Sequence, residues 1–168
     1  MIYLIDANII ITPENDYYCH TFHPGFWDFL QKYIQTGEII IIKNVYDELV
    51  KGRDDYISNY LKGLKNQGIL EVKECGDTET QENFVEISSL VQENNIYSIA
   101  NKEFFLSGAD PWLIAKAKTL NATVVTFEII VDETSKVIKI PNICNKVNVN
   151  YINLKTLMEK LSPKFILE

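Results

Sequence analysis

The sequence predicts a doubly wound α/β fold, a three-layer α/β/α sandwich with a central, mostly parallel sheet. Three observations lead there. Short apolar runs such as EIIIIK and ATVVTFE alternate, from start to end, with longer stretches of helical period. The runs are continuous rather than alternating apolar and polar, as in strands covered on both faces. At 168 residues and 19.4 kDa, the chain has the size of one compact α/β domain, taken as residues 1–168.

The elements follow in order. YLID is the first strand, and NDYYCHTFHPG is a loop rich in turn formers and aromatics. PGFWDFLQKYIQTG is a helix on which Phe26, Phe29, Leu30, Tyr33 and Ile34 recur at helical spacing, with Gly37 suited to its C-terminal cap. EIIIIK is a buried strand. NVYDELVKG is a short helix with Asn44 as its N-cap and Gly52 near its end. DDYISNYLKGLKNQG is another helix, and ILEVKE a third or edge strand. DTETQENFVEISSLVQENN is helical, with Phe84, Ile87, Leu90 and Val91 on one stripe; SIANKEFFLSG is a short helix ending at Gly108. DPWLIAKAKTLN is a helix, ATVVTFE a buried strand, KVIKIPNICNKV a strand running into a turn, and NLKTLMEKLSP the closing helix.

Composition narrows the function. A net charge of −7 argues against a broad basic face for duplex nucleic acid, and Arg53 is the single arginine, so bidentate phosphate clamps are scarce. The 3 cysteines, Cys19, Cys75 and Cys144, form no Cys-x-x-Cys pair and no disulfide framework, which fits a reducing, cytoplasmic compartment. No apolar run reaches the roughly 20 residues of a membrane span, and Asp6 and Asn8 interrupt the N-terminal apolar stretch, so it is not a signal peptide.

The chemistry lies with four acids. A charge inside a buried strand costs several kcal/mol, roughly, unless it sits at the strand's end or is paired. Asp6 directly follows the first strand and therefore lies at the carboxyl edge of the sheet, where α/β folds bind ligands. Glu128 follows VVTF in the same way, and Asp110 opens a helix whose N-terminus faces that edge. Glu48 flanks the Val45–Leu49 stripe of the helix just after EIIIIK, with Asp47 pointing away. Each has an ordinary reading when taken alone: Asp6 holding loop amides, Glu48 solvated, Asp110 capping its helix ahead of Pro111, Glu128 ending a strand. Together they form a carboxylate cluster that repels itself and is relieved by a divalent cation. A set of oxygens without His or Cys selects Mg²⁺ or Mn²⁺.

Four segments, YLIDANII, VYDEL, ADPWLIAKAK and ATVVTFE, in this order and at these separations, resemble the PIN-domain ribonucleases, the superfamily that includes the toxins of VapBC-type toxin–antitoxin pairs. NDYY, HPGFWDFL and KIPNIC look like one mostly prokaryotic branch of PIN-like proteins. The resemblance covers essentially the whole chain. It implies a PIN-like fold in which Asp6, Glu48, Asp110 and Glu128 are catalytic and bind Mg²⁺ or Mn²⁺, with Asn8 as the small polar residue that helps hold the site. Glu128 departs from the aspartate that is usual there. The implied reaction is hydrolysis of an RNA phosphodiester, leaving a 5′-phosphate and a 3′-hydroxyl. The implied partners are RNA, a cognate antitoxin and a second copy in a homodimer, with no membrane.

Other residues are candidates for support. Thr126 is placed to hydrogen-bond an acid or a metal water. Tyr17 and Tyr18 are candidates to stack on unpaired bases, and Lys43, Lys51 and Lys116 to neutralise RNA phosphates. His20 and His23 with Cys19 nearby suggest zinc, but no second ligand pair at metal spacing accompanies them, so they read as loop surface. Two rival functions stay open: a non-catalytic PIN-like module that binds RNA or protein, and a structure-specific DNA nuclease, which lacks the basic run its duplex-binding arch requires.

Overall fold

The computed structural model describes residues 1–165. Four parallel strands form the sheet in the order β2-β1-β3-β4: β1 Tyr3–Ile5, β2 Ile39–Ile40, β3 Thr123–Val125 and β4 Asn150–Ile152. β1 and β3 are adjacent and fully buried, with Ile5 beside Val125. The chain moves from β1 outward to β2, then crosses back past β1 to β3 and on to β4. Right-handed crossovers therefore place the β1–β2 helices on one face and the later helices on the other. The first set is α1 (Asn8–Thr12), a π-helical turn (Pro13–Tyr17) and α2 (Pro24–Gln35). The second set is α3 (Lys43–Val50), α5 (Thr78–Glu93), α6 (Ile99–Ser107), α7 (Asp110–Thr119) and, after β3, α8 (Ile140–Lys146); α4 (Tyr56–Asn66) is the exception and packs on α2, where Tyr60 Oη donates to the Trp27 carbonyl at 2.9 Å. The closing α9 (Leu154–Leu161) returns to α2, where Tyr33 Oη donates to the Leu161 carbonyl at 2.9 Å. The direction of winding reverses between β1 and β3, and the carboxyl ends of those two strands open the crevice that such a reversal creates.

Core burial follows the sequence pattern. α7 is enclosed on most sides, with Pro111, Leu113, Ile114, Ala115 and Ala117 buried, and α5 packs along it through Ile87, Val91 and a 3.8 Å stack of Phe84 on Trp112. Asp55, Asp77, Ser98 and Asn153 cap α4, α5, α6 and α9 by accepting from backbone amides. Gly37 has φ +74°, the left-handed conformation that lets the chain leave α2 for β2.

The structure corrects several expectations. α3 begins at Lys43 behind an extended Ile42, so Asn44 lies inside the helix and does not cap it. Asp110 is the first residue of α7 and Ala109 its N-cap, so the Asp110 carboxylate makes no capping bond. All four isoleucines of EIIIIK are buried, yet only Ile39 and Ile40 pair with β1; Ile42 makes an isolated bridge to Lys73, which is all that remains of the strand expected at ILEVKE. In KVIKIPNICNKV, residues Ile140–Lys146 are helical, with Pro141 in the first turn, because Ile140, Ile143 and Cys144 bury one face at helical spacing. The loop expected at NDYY begins with the π-helical turn.

Candidate active site

The β1–β3 register positions the first pair of side chains. The Asp6 amide donates to the Val125 carbonyl at 3.0 Å, which sets Asp6 beside Thr126 just beyond the strand ends. Asp6 is 5% exposed, and Thr126 Oγ1 donates to its Oδ2 at 3.0 Å. The same hydroxyl oxygen accepts from the Glu128 amide at 3.1 Å, so one buried threonine ties two acids' segments together. Burial pushes the Asp6 carboxyl upward and the Glu128 charge adds to that; the Thr126 hydroxyl and the amides of Asn8 and Ala7 oppose it. The Asn8 side chain is exposed, so its backbone is the part that reaches the site.

Glu48 projects from α3 toward the start of α7, where its Oε1 accepts from the Ala109 amide at 3.1 Å. Its carboxyl is pushed up by desolvation and by Asp6 and is held back by that amide. Asp47, on the other flank, pairs with Lys43. Asp110 is the most perturbed acid of the group. Burial, reinforced by the charges of Asp6, Glu128 and Glu48 and opposed by Lys139, raises its pKa to about 7. No described residue hydrogen-bonds the Asp110 carboxylate.

Glu128 is held differently. Its Oε1 lies 2.7 Å from Lys139 Nζ, and its Oε2 accepts from the Ile140 amide at 2.7 Å, at the start of α8. Beyond it, Asn142 bonds both backbone groups of Val131, at 3.0 and 2.8 Å. Sequence reasoning missed Lys139 and Asn142 because both lie in the segment read as a strand.

The structure thus brings Asp6, Glu48, Asp110 and Glu128 into electrostatic contact around one crevice, from four separate elements. They ring it rather than meet at a point: among the described residues, the group of three such side chains whose ligand atoms all lie within 4.8 Å of one another is Glu14, Cys19 and His20. The donor set still fits Mg²⁺ or Mn²⁺. Such ions take only one or two carboxylates directly and keep several waters, which span a wider ring. The other candidates lie apart. Tyr17 is 59% exposed, while Tyr18 stacks on Phe26 at 4.7 Å. Lys51 is exposed, and Lys43 holds Asp47. Lys116 is 8% exposed with its ammonium 2.6 Å from Asp77, so its charge is neutralised within the helical layer. Among the described residues, no helix is long and apolar enough to cross a membrane.

The fold is PIN-like, of the VapC type. It matches VapBC2 from Rickettsia felis, solved bound to a DNA fragment from its promoter, with a TM-score of 0.55 at 18% identity over 91% of this chain and 98% of that one. It matches FitAcB from Neisseria gonorrhoeae with a TM-score of 0.55 at 17% identity over 90% of this chain and 97% of that one. No curated protein matches the chain. The chain belongs to the family described as a domain of unknown function, DUF4411, whose model matches residues 3–165.

Proposed function

We propose that this chain is a single-domain, Mg²⁺- or Mn²⁺-dependent endoribonuclease, the cytoplasmic toxin of a toxin–antitoxin module. The observation that carries the reading is the upward shift of Asp6, Glu48 and Asp110 together at the winding reversal of the sheet. A fold gains nothing in stability from three acids that burial lifts and of which Asp6 raises the other two, and such perturbed clusters in a crevice mark functional sites. When bound, Mg²⁺ or Mn²⁺ offsets that repulsion and stabilises the charge that develops on the phosphodiester oxygens. Asp6, fixed by Thr126, and Glu48, fixed by the Ala109 amide, orient the centre. Asp110, free of hydrogen bonds from the described residues, supplies the third carboxylate. Cleavage breaks the P–O3′ bond and leaves a 5′-phosphate and a 3′-hydroxyl.

Likeness of fold to VapBC2 and FitAcB supports an antitoxin as partner, and a homodimer belongs to the same reading. Tyr17 and Lys51, both exposed, are the candidate RNA contacts best placed to meet a strand. The test is cleavage of single-stranded RNA by the purified protein with Mn²⁺, set against Asp6→Asn and Asp110→Asn proteins of unchanged fold. Metal-dependent cleavage lost in both variants is the expected result. RNA binding without cleavage by the unaltered protein would instead make it a non-catalytic module, and cleavage of duplex DNA alone would make it a DNA nuclease.

A further inference from the structure

The loop between α1 and α2 carries a second cluster with different chemistry. Glu14, in the π-helical turn, reaches forward to the loop: its Oε1 lies 2.5 Å from His20 Nδ1 and 3.8 Å from Cys19 Sγ. The three ligand atoms all lie within 4.8 Å of one another. The side chains are already oriented. The His20 amide donates to Glu14 Oε2 at 3.0 Å, the His20 ring stacks on Tyr56 at 3.5 Å and 5°, and Thr21 Oγ1 lies 3.2 Å from Cys19 Sγ. The Glu14 and His20 side chains are 13% and 33% exposed, so the cluster is partly desolvated yet reachable from solvent. The π-helical turn aims Glu14 at Cys19 and His20, a convergence that linear spacing does not reveal and that supplies the ligand missing from the cysteine–histidine group in the sequence.

We infer that Glu14, Cys19 and His20 form a binding site for a transition-metal ion of the zinc class, separate from the acid crevice. One thiolate, one imidazole and one carboxylate are a mixed sulfur, nitrogen and oxygen set that favours Zn²⁺ over Mg²⁺. Three protein ligands leave the fourth tetrahedral position to water. With nitrogen and oxygen each about 2.0 Å from zinc, the tetrahedral angle separates them by about 3.3 Å. Metal entry therefore needs the Glu14–His20 contact to open by less than an ångström, and the Cys19 sulfur to close on the Glu14 oxygen by a few tenths. The thiol proton is released to solvent on binding. The ion ties the π-helical turn to the loop that leads into α2. This inference does not rest on the nuclease reading.

Cobalt is the probe. Co²⁺ added to the reduced, chelator-treated full chain is expected to give a thiolate-to-cobalt charge-transfer band and intense tetrahedral d–d bands, displaced by one equivalent of Zn²⁺. Cys19→Ser is expected to abolish the charge-transfer band. His20→Gln and Glu14→Gln are expected to weaken Zn²⁺ binding by more than the roughly 10–100-fold that loss of an outer-shell partner causes. Asp6→Asn and Asp110→Asn should leave every band in place, which separates this site from the acid crevice. A spectrum without charge transfer in the unaltered chain, or one that persists in Cys19→Ser through Cys75 or Cys144, overturns the assignment. So does Zn²⁺ affinity unchanged in Glu14→Gln and His20→Gln, provided circular dichroism shows the variants folded.

Discussion

Asp110 and Glu128 lie on the same crevice and each raises the energy of the charges there, yet the fold treats them in opposite ways. Glu128 receives an ammonium on one oxygen and a backbone amide on the other. Asp110 receives neither, sits among three other acids, and has its pKa lifted to about 7. The difference teaches which carboxylate the structure completes by itself and which it leaves for something outside the chain. A completed acid holds architecture, here the entry to α8. An uncompleted one stores repulsion that a cation can relieve. Glutamate where the PIN-domain pattern has aspartate is consistent with this division, since its longer side chain reaches Lys139 and the Ile140 amide.

The comparison can be broken or sharpened by experiment. The largest effect is expected from Asp110→Asn, which should lower metal-dependent RNA cleavage by about 10³-fold or more, several kcal/mol of lost charge stabilisation. Activity within tenfold of the unaltered protein would put Asp110 outside the chemistry. The same variant should gain stability without metal. A carboxyl whose folded pKa lies above its unfolded value contributes stability that is fully present below pH 3.8 and is lost as pH rises through about 7. Near pH 8, Asp110→Asn should therefore melt several degrees higher than the metal-free unaltered chain, on the order of 2 kcal/mol, as read by calorimetry. Mn²⁺ should reverse that ranking. At a hundred times its dissociation constant it adds about 2.7 kcal/mol to the unaltered protein and much less to the variant, as a thermal melt with and without Mn²⁺ will show.

Glu128→Gln should do the converse. Loss of the charge opposite Lys139 is expected to lower stability by about 1–2 kcal/mol, while Mn²⁺ affinity by titration stays within threefold. A tenfold weaker Mn²⁺ affinity would make Glu128 a ligand and dissolve the distinction. The smallest effect is expected for Thr126→Val, which removes the donor to Asp6 and the acceptor of the Glu128 amide: cleavage should fall roughly tenfold and the melting temperature by a few degrees.

Much of this was legible in the residues, for reasons that can be named. A lone aspartate ending YLI has few places to go but a sheet edge, and the fold puts it there. Glu48 followed from the helical angle to Val45 and Leu49, both buried. What failed was local chemistry overridden by packing. Asn44 and Asp110 have good capping side chains, but the helices begin earlier than those caps require, two residues earlier behind Ile42 and one residue earlier behind Ala109. Lys116 reads as a surface lysine on an exposed helix face, whereas α7 is covered around that position and Asp77 meets it. α8 was hidden because its isoleucines have strand-like propensity, although Pro141 carried a helix-start signal. β4, three residues with little burial, left no pattern to read. Glu14 joins Cys19 and His20 only through the π-helical turn, which no periodicity announces.

The bonds at the start of α8 also govern the excursion that precedes it. Between β3 and α8 the chain runs out through residues 129–139, with Ile129, Ile130 and Val137 exposed. Glu128 meets Lys139 and Ile140, and Val131 meets Asn142, so the two stems of that excursion are fastened to each other twice. A protease arriving there encounters a closed stem instead of a slack tether, and cutting should wait on the opening of α8 rather than on the length of the loop.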